Sequence, residues 1–159
     1  MMHRLLFLTA LACSLVLVPR ASLAQDVGFG SKNVTLTLST DPAKPQAGQA
    51  FQLTAKVVIA PQFHIYGKTL QGIGKPTVLK ISLPEGWEQE TLPWPPTKAV
   101  AAPDGPTQAY TGTVLISVKV TPKAGATSGK IGAVVDGLAC SDQMCVPFKA
   151  AANLSVPLQ

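Results

Sequence analysis

Short stretches in which apolar and polar residues alternate recur along most of the chain. In residues 33–40, Val34, Leu36 and Leu38 are separated by hydroxyl residues. A period of two places the apolar side chains on one face of a half-buried β-strand. Similar patterns predict further strands over residues 50–60, 77–83, 110–120, 130–137 and 149–156. Seven or eight strands with no convincing helix predict an all-β fold, an antiparallel two-sheet sandwich of immunoglobulin type.

Residues 92–106 interrupt this pattern with five prolines and Trp94. So many prolines predict no regular element there, and a long ordered loop is expected instead. Loops of this length in compact domains often act as lids. Trp94 is a large apolar side chain that a solvated linker would not need, so we expect this loop to cover a site. A packing role at the edge of the core is the alternative for Trp94.

The N-terminus has the features of a secretory signal peptide. Arg4 precedes an apolar run over residues 5–18, and the small residues Ser22 and Ala24 stand before Gln25 in the positions that signal peptidase reads. We therefore expect residues 1–24 to be removed and residues 25–159 to form one domain in the periplasm. The remaining chain would have an oxidising environment, in which an even number of cysteines suits a disulfide.

Removal of the predicted signal changes the charge and its meaning. The two arginines, Arg4 and Arg20, would be lost, and the net charge would fall from the +5 of the whole chain to +3. Arginine supplies the planar fork that reads guanine and phosphate, and the remaining lysines are scattered between Lys32 and Lys149. The sequence therefore argues against a nucleic-acid partner.

Cys140 and Cys145 are the cysteines that would remain, and four residues separate them. This hairpin-sized spacing is compatible with a structural disulfide or with a redox couple. Closing so short a loop would stabilise the fold by only about 2 kcal/mol. A weakly stabilised disulfide at the end of a domain is more readily reduced. From the spacing alone, the structural and the redox interpretations are equally well supported.

A metal site is the third interpretation of the cysteine segment. Zinc requires three or four nitrogen or sulfur ligands, and too few would remain for it after the signal is removed. Copper(I) accepts cysteine and methionine at lower coordination numbers, so Cys140, Met144 and Cys145 could bind it. A plain apolar contact is the simpler interpretation of Met144, and the sequence predicts neither a bound metal nor a cofactor.

His64 and Asp142 are the titratable residues considered beside the cysteines. A single histidine among aromatic residues is more often structural than a general base. Asp142 lies between the cysteines, where its negative charge would raise a thiol pKa. The residues thus give no support for a strongly activated thiolate.

Several segments taken together resemble the N-terminal periplasmic domain of the transmembrane thiol:disulfide reductase DsbD. These are Phe63-His64-Ile65-Tyr66, residues 72–77, residues 83–87 and residues 139–147. The resemblance extends from about Val34 to Leu158. It implies an immunoglobulin-like fold, in agreement with the strand pattern.

The resemblance also implies a function and a set of site residues. Cys140 and Cys145 would cycle between dithiol and disulfide, taking electrons from a membrane electron-transfer protein. They would pass the electrons to periplasmic thioredoxin-like or disulfide isomerase proteins. Tyr66 matches an aromatic residue beside the pair, and the loop with Trp94 matches a cap that shields it. His64 departs from the tyrosine of the best-known member.

These observations predict a stand-alone thiol–disulfide interchange module, a component of a protein-disulfide reductase system. In DsbD this domain is fused to a membrane domain and a thioredoxin-like domain, neither of which is found in this sequence. Electrons are therefore expected to reach it from a separate carrier. Cys145 is slightly favoured as the cysteine that links to a partner. The alternatives are a copper(I)-binding protein and an interaction module with an inert disulfide.

Overall fold

The computed structural model describes residues 32–69, 74–102 and 105–159, and these residues form ten β-strands. The strands are β1 (Val34–Asp41), β2 (Phe51–Ile59), β3 (His64–Tyr66), β4 (Val78–Ser82), β5 (Glu88–Thr91), β6 (Lys98–Val100), β7 (Thr107–Tyr110), β8 (Thr113–Thr121), β9 (Ser128–Cys140) and β10 (Cys145–Pro157). No helix occurs in these ranges, which confirms the prediction of an all-β fold.

The strands form two antiparallel sheets that pack as an immunoglobulin-like sandwich. One sheet has four strands in the order β1-β2-β8-β5. The other has six, in the order β10-β9-β3-β7-β6, with β4 also paired to β9. β3 pairs with the last residues of β9, whereas β4 pairs with its middle. β3 and the first residues of β10 therefore flank the same end of β9.

The core lies between the sheets and consists of alternate residues from both. In β2, Leu53, Ala55 and Val57 are fully buried, and the intervening residues are more exposed. The facing sheet contributes Ile131, Val135 and other alternate residues of β9 and β10. The strands predicted over residues 33–40 and 50–60 are therefore confirmed, since their period-two pattern follows from one-sided burial.

The single strand predicted over residues 110–120 is wrong, because the chain changes sheets within it. β7 ends at Tyr110 in the six-stranded sheet, and β8 begins at Thr113 in the four-stranded one. Gly112 makes the crossing with a φ of 65°, a conformation that glycine adopts without a steric penalty. Its carbonyl accepts a hydrogen bond from the Ile59 amide at 2.7 Å, which ties the crossing to the end of β2.

Two further expectations are corrected in the second half of the chain. Residues 92–106 are not wholly irregular, because β6 lies among the prolines and pairs with β7. β9 and β10 have 13 residues each, so they are longer than the segments predicted over residues 130–137 and 149–156. Both strands extend past the predicted segments because β9 and β10 pair with each other along their full length.

The predicted signal peptide, residues 1–24, lies outside the described residues. Among the residues that are described, no helix has the length and apolar character needed to cross a membrane.

Candidate functional site: a disulfide on the outer face of the six-stranded sheet

The cysteines lie opposite each other where β9 turns into β10. Their sulfur atoms form a disulfide, and their Cα atoms are 4.0 Å apart. The Ser141 amide donates a hydrogen bond to the Met144 carbonyl at 2.8 Å, and the Ser141 hydroxyl accepts one from the Met144 amide at 3.3 Å. Because residues 141 and 144 pair through the backbone, Cys140 and Cys145 occupy the next, non-hydrogen-bonded position, where cross-strand side chains are closest.

The two cysteines differ strongly in exposure. Cys140 is 2% exposed, whereas Cys145 lies on the surface at the start of β10. Met144 beside it is 56% exposed, the most exposed large apolar residue that the structure describes. A macromolecule that approaches this hairpin can therefore reach Cys145 but not Cys140.

The disulfide lies on the outer face of the six-stranded sheet, away from the core. Ile65 and Ala139 pair with each other and belong to the core between the sheets. Since successive side chains of a strand point to opposite faces, their neighbours His64 and Cys140 point outward, and so does Tyr66. His64 is directly opposite Cys140 in the β3–β9 pairing. The Tyr66 hydroxyl lies 3.6 Å from the Cys140 sulfur, which as part of a disulfide can only accept its hydrogen.

The segment that precedes β4 covers this outer face beside the disulfide. Gly74 lies against the Tyr66 ring, where an added Cβ would be 2.9 Å from Cε2 of the ring. Thr77 is 1% exposed, and its hydroxyl donates a hydrogen bond to the Tyr66 carbonyl at 2.6 Å. Lys75 forms a salt bridge with Asp136 of β9 at 2.9 Å. These contacts explain how Tyr66 is buried although it points away from the core.

Replacing Thr77 with valine is expected to lower the free energy of unfolding by about 1–3 kcal/mol. Valine has nearly the same shape but lacks the hydroxyl, so the buried Tyr66 carbonyl loses a partner. Thr77→Ser is the matched control, because it keeps the hydroxyl. Urea unfolding of the three proteins measures the effect, and a Thr77→Val variant as stable as the wild type would show that this bond does not hold the cover in place.

His64 has an unusual environment for a histidine. It is 6% exposed, and its ring meets that of Tyr66 edge to face, with 5.7 Å between the centroids. Its Nε2 is buried and has no hydrogen-bond partner among the described residues. Burial lowers the pKa of His64 from 6.5, and the negative charge of Asp142 partly opposes this shift. The imidazole is therefore neutral at pH values where an exposed histidine begins to be protonated.

Asp142 lies exposed in the turn between the cysteines. It borders the same groove as His64 and Phe63, consistent with its effect on the His64 pKa. Within residues 32–69, 74–102 and 105–159, no three His, Cys, Asp or Glu side chains gather in a way that could hold a metal ion.

Trp94 lies in a different groove from the disulfide. It packs against the edge of the core and lines a groove of about 310 Å³ with Leu79 and Ile81 of β4. The Lys68 ammonium lies 5.8 Å from the centroid of its ring. The contacts described for Trp94 agree with its alternative interpretation as a packing residue. Its role as a shield stays a prediction.

Some residues at the site were not singled out from the sequence. Val100 and Ala101, within the proline-rich loop, border the groove that His64 and Asp142 line. Gly74 and Thr77 form the cover over Tyr66. Proline density indicated the loop, but nothing in the local sequence indicates which of its residues borders this groove.

A β-sandwich with a disulfide at an exposed hairpin is compatible with domains that exchange disulfides with other proteins. The model of one such family, described as thiol:disulfide interchange protein DsbD, N-terminal, matches residues 18–156. The chain therefore belongs to this family, as the resemblance in its sequence predicted.

A solved structure supports the fold. The N-terminal periplasmic domain of ScsB from Proteus mirabilis superimposes with a TM-score of 0.60 at 15% sequence identity. The match covers 84% of the present chain and 51% of the ScsB chain, so this chain spans about half of that protein's length. At this identity the likeness concerns the fold. A search of curated proteins found no match.

Proposed function

We propose that this chain is a periplasmic thiol–disulfide interchange module. It would pass reducing equivalents from a membrane electron-transfer protein to periplasmic thioredoxin-like or disulfide isomerase proteins through Cys140 and Cys145. The observation that carries the proposal is the asymmetric disulfide, in which one sulfur belongs to an exposed residue and the other to a buried one. Membership of the DsbD N-terminal family supports the exchange chemistry. The predicted signal peptide and the periplasmic location of the ScsB domain support the compartment.

The exchange takes place in two balanced half-reactions. In the first, a thiolate of the electron donor attacks the Cys145 sulfur, and Cys140 leaves as a thiolate that takes up a proton. A second thiol of the donor then attacks the donor sulfur of this mixed disulfide. The donor leaves with its own disulfide, and Cys140 and Cys145 remain as two thiols. In the second, the Cys145 thiolate attacks the disulfide of an acceptor protein, and Cys140 resolves the mixed disulfide. Two electrons and two protons reach the acceptor.

The structure supports a division of roles between the two cysteines. Because Cys145 is exposed in a hairpin, a partner sulfur can approach it, as the reaction requires. Cys140 is buried against Tyr66 and directly opposite Cys145, so after reduction it stays close enough to resolve a mixed disulfide. Holding the two sulfurs together makes the second step intramolecular, which increases its rate.

A redox titration tests whether the disulfide is an exchanging couple or an inert staple. We expect a reduction potential in the range of exchange proteins, from about −120 to −270 mV, rather than below about −300 mV as in structural disulfides. The oxidised chain is equilibrated in thiol–disulfide buffers, and free thiols are counted by mass after alkylation. Resistance to reduction throughout this range, and by a thioredoxin system, would favour the staple.

A further inference from the structure

His64 is a buried titratable residue to which the exchange steps above assign no task. It is directly opposite Cys140 in the β3–β9 pairing, so the two side chains share the outer face of the sheet. Side chains paired in this way have Cβ atoms about 4.5–5.5 Å apart. Tyr66 contacts both, since its ring packs edge to face on His64 and its hydroxyl reaches the Cys140 sulfur. His64, Tyr66 and Cys140 therefore form one compact cluster.

The unpaired Nε2 of His64 calls for a physical explanation. A buried polar atom without a partner costs free energy, and few such atoms occur in folded proteins. In the disulfide state Cys140 carries no proton and cannot donate to an imidazole nitrogen. Reduction creates a thiol on the same face of the sheet, and this thiol is a donor. The dithiol form therefore offers Nε2 a donor that the disulfide form lacks.

We propose that His64 accepts the proton of the Cys140 thiol when Cys140 resolves a mixed disulfide on Cys145. The thiol proton moves to the imidazole, the Cys140 thiolate attacks the Cys145 sulfur, and the bond between Cys145 and the partner breaks. The departing partner thiolate then takes up the proton from His64 or from water. In this step the Cys140 sulfur is oxidised and the departing partner sulfur is reduced, while Cys145 passes from one disulfide to another. Over both steps of the exchange, the two cysteines lose the two electrons that the partner gains. This inference rests on the proposed exchange function and assigns a proton acceptor to its resolving step.

The surroundings of His64 suit an imidazole that is neutral at rest and is protonated only during the resolving step. Burial holds its pKa below 6.5, so the imidazole is neutral at neutral pH. Asp142 is the charged residue among the described ones that border the same groove, and it stabilises the imidazolium. Tyr66 on its own strand and Cys140 on β9 are the other titratable groups that face it. The remaining groove residues from β2, β6 and the crossing at residues 111–112 are uncharged.

The resolving step can be followed without a protein partner. The reduced chain is mixed with an aromatic disulfide whose released thiolate is coloured. Attack by exposed Cys145 releases the first thiolate and leaves a mixed disulfide, and attack by Cys140 releases the second. The rate of the second release is measured across roughly pH 5 to 9, a range that spans histidine and thiol titration. The wild-type rate should fall when the pH drops through the lowered pKa of His64, because the protonated imidazole accepts no proton.

The variants separate proton transfer from structural support. General-base catalysis typically contributes about 10²–10⁴-fold, so we expect His64→Phe to slow the second release about 100-fold at neutral pH. Its rate should then increase about tenfold per pH unit, as for a thiol without a base. His64→Gln keeps a polar side chain that does not titrate and should behave in the same way. Ile65→Val, a change on the core-facing side of β3, should keep the wild-type pH profile.

The outcome is decided by the shape of the pH profile. Wild-type profiles in both His64 variants, or slower rates with an unchanged pH dependence, would overturn the proposal and leave His64 a packing residue. If His64→Phe does not fold, His64→Gln carries the test. Because no protein partner is present, the result is separate from the proposed function. If the pH profile depends on His64 but the chain exchanges disulfides with no protein, only the proposed function is refuted. If the chain exchanges with a partner protein but the His64 variants keep the wild-type pH profile, only this inference is refuted.

Discussion

Replacing Cys140 with alanine is expected to leave a chain that holds partner proteins in stable mixed disulfides through Cys145. Cys145 is exposed at the hairpin, so a partner sulfur can reach it. Without Cys140 the resolving step is lost, and the mixed disulfide accumulates. Cys145→Ala leaves the buried Cys140 as the available thiol, and we expect at least about tenfold less captured protein because access limits exchange.

The trap is measured as bands on non-reducing gels that disappear on reduction. Each variant is expressed in an oxidising compartment and then incubated with a purified thioredoxin-like protein. A Cys140→Ala/Cys145→Ala double variant gives the background. Equal capture by the two single variants would contradict the division of roles, and no capture by either would remove support for exchange with proteins of this class.

Replacing Leu53 with alanine is expected to destabilise the fold by about 2–5 kcal/mol. Leu53 is 0% exposed in β2, where it pairs with Val118 of β8. Removing three carbons from this position loses buried apolar surface and leaves a cavity between the sheets. In a domain of marginal stability, such a loss would be a large share of the total.

Leu115 offers a matched control within the same sheet. It is 52% exposed on the outward side of β8, and the same change to alanine deletes the same atoms. Leu115→Ala should alter stability by no more than about 0.5 kcal/mol, because its side chain already contacts water. The midpoint and slope of urea unfolding give both values. Equal losses in the two variants would contradict the placement of the core.

The strands could be predicted where burial is one-sided and the neighbours are local. Apolar and polar side chains alternate in residues 33–40 and 50–60 because β1 and β2 each face the core on one side. Such a pattern can be recognised from consecutive residues alone. The same reasoning failed at residues 110–120. Tyr110 and Val114 both face the core and lie four residues apart, which fits a period of two. The residues between them are exposed, and the chain passes there from one sheet to the other.

The proline-rich loop shows a second limit of local patterns. Proline excludes a central strand, but β6 lies at the edge of its sheet, where it pairs on one side with β7. The position of Trp94 also depends on distant residues. Its groove is lined by β4 and by Val118 of β8, which approach it only when the sheets pack.

By itself, the amino-acid sequence determined the all-β class, the spacing of the cysteines and the family resemblance, because these depend on composition and on order along the chain. The tertiary structure decided which cysteine is buried, which face of the sheet carries the disulfide, and that His64 is opposite Cys140. The physical reason is that exposure and strand register arise from residues far apart in sequence. Gly74 and Thr77 bury Tyr66 from the outside, and no nearby pattern of apolar and polar residues encodes that contact.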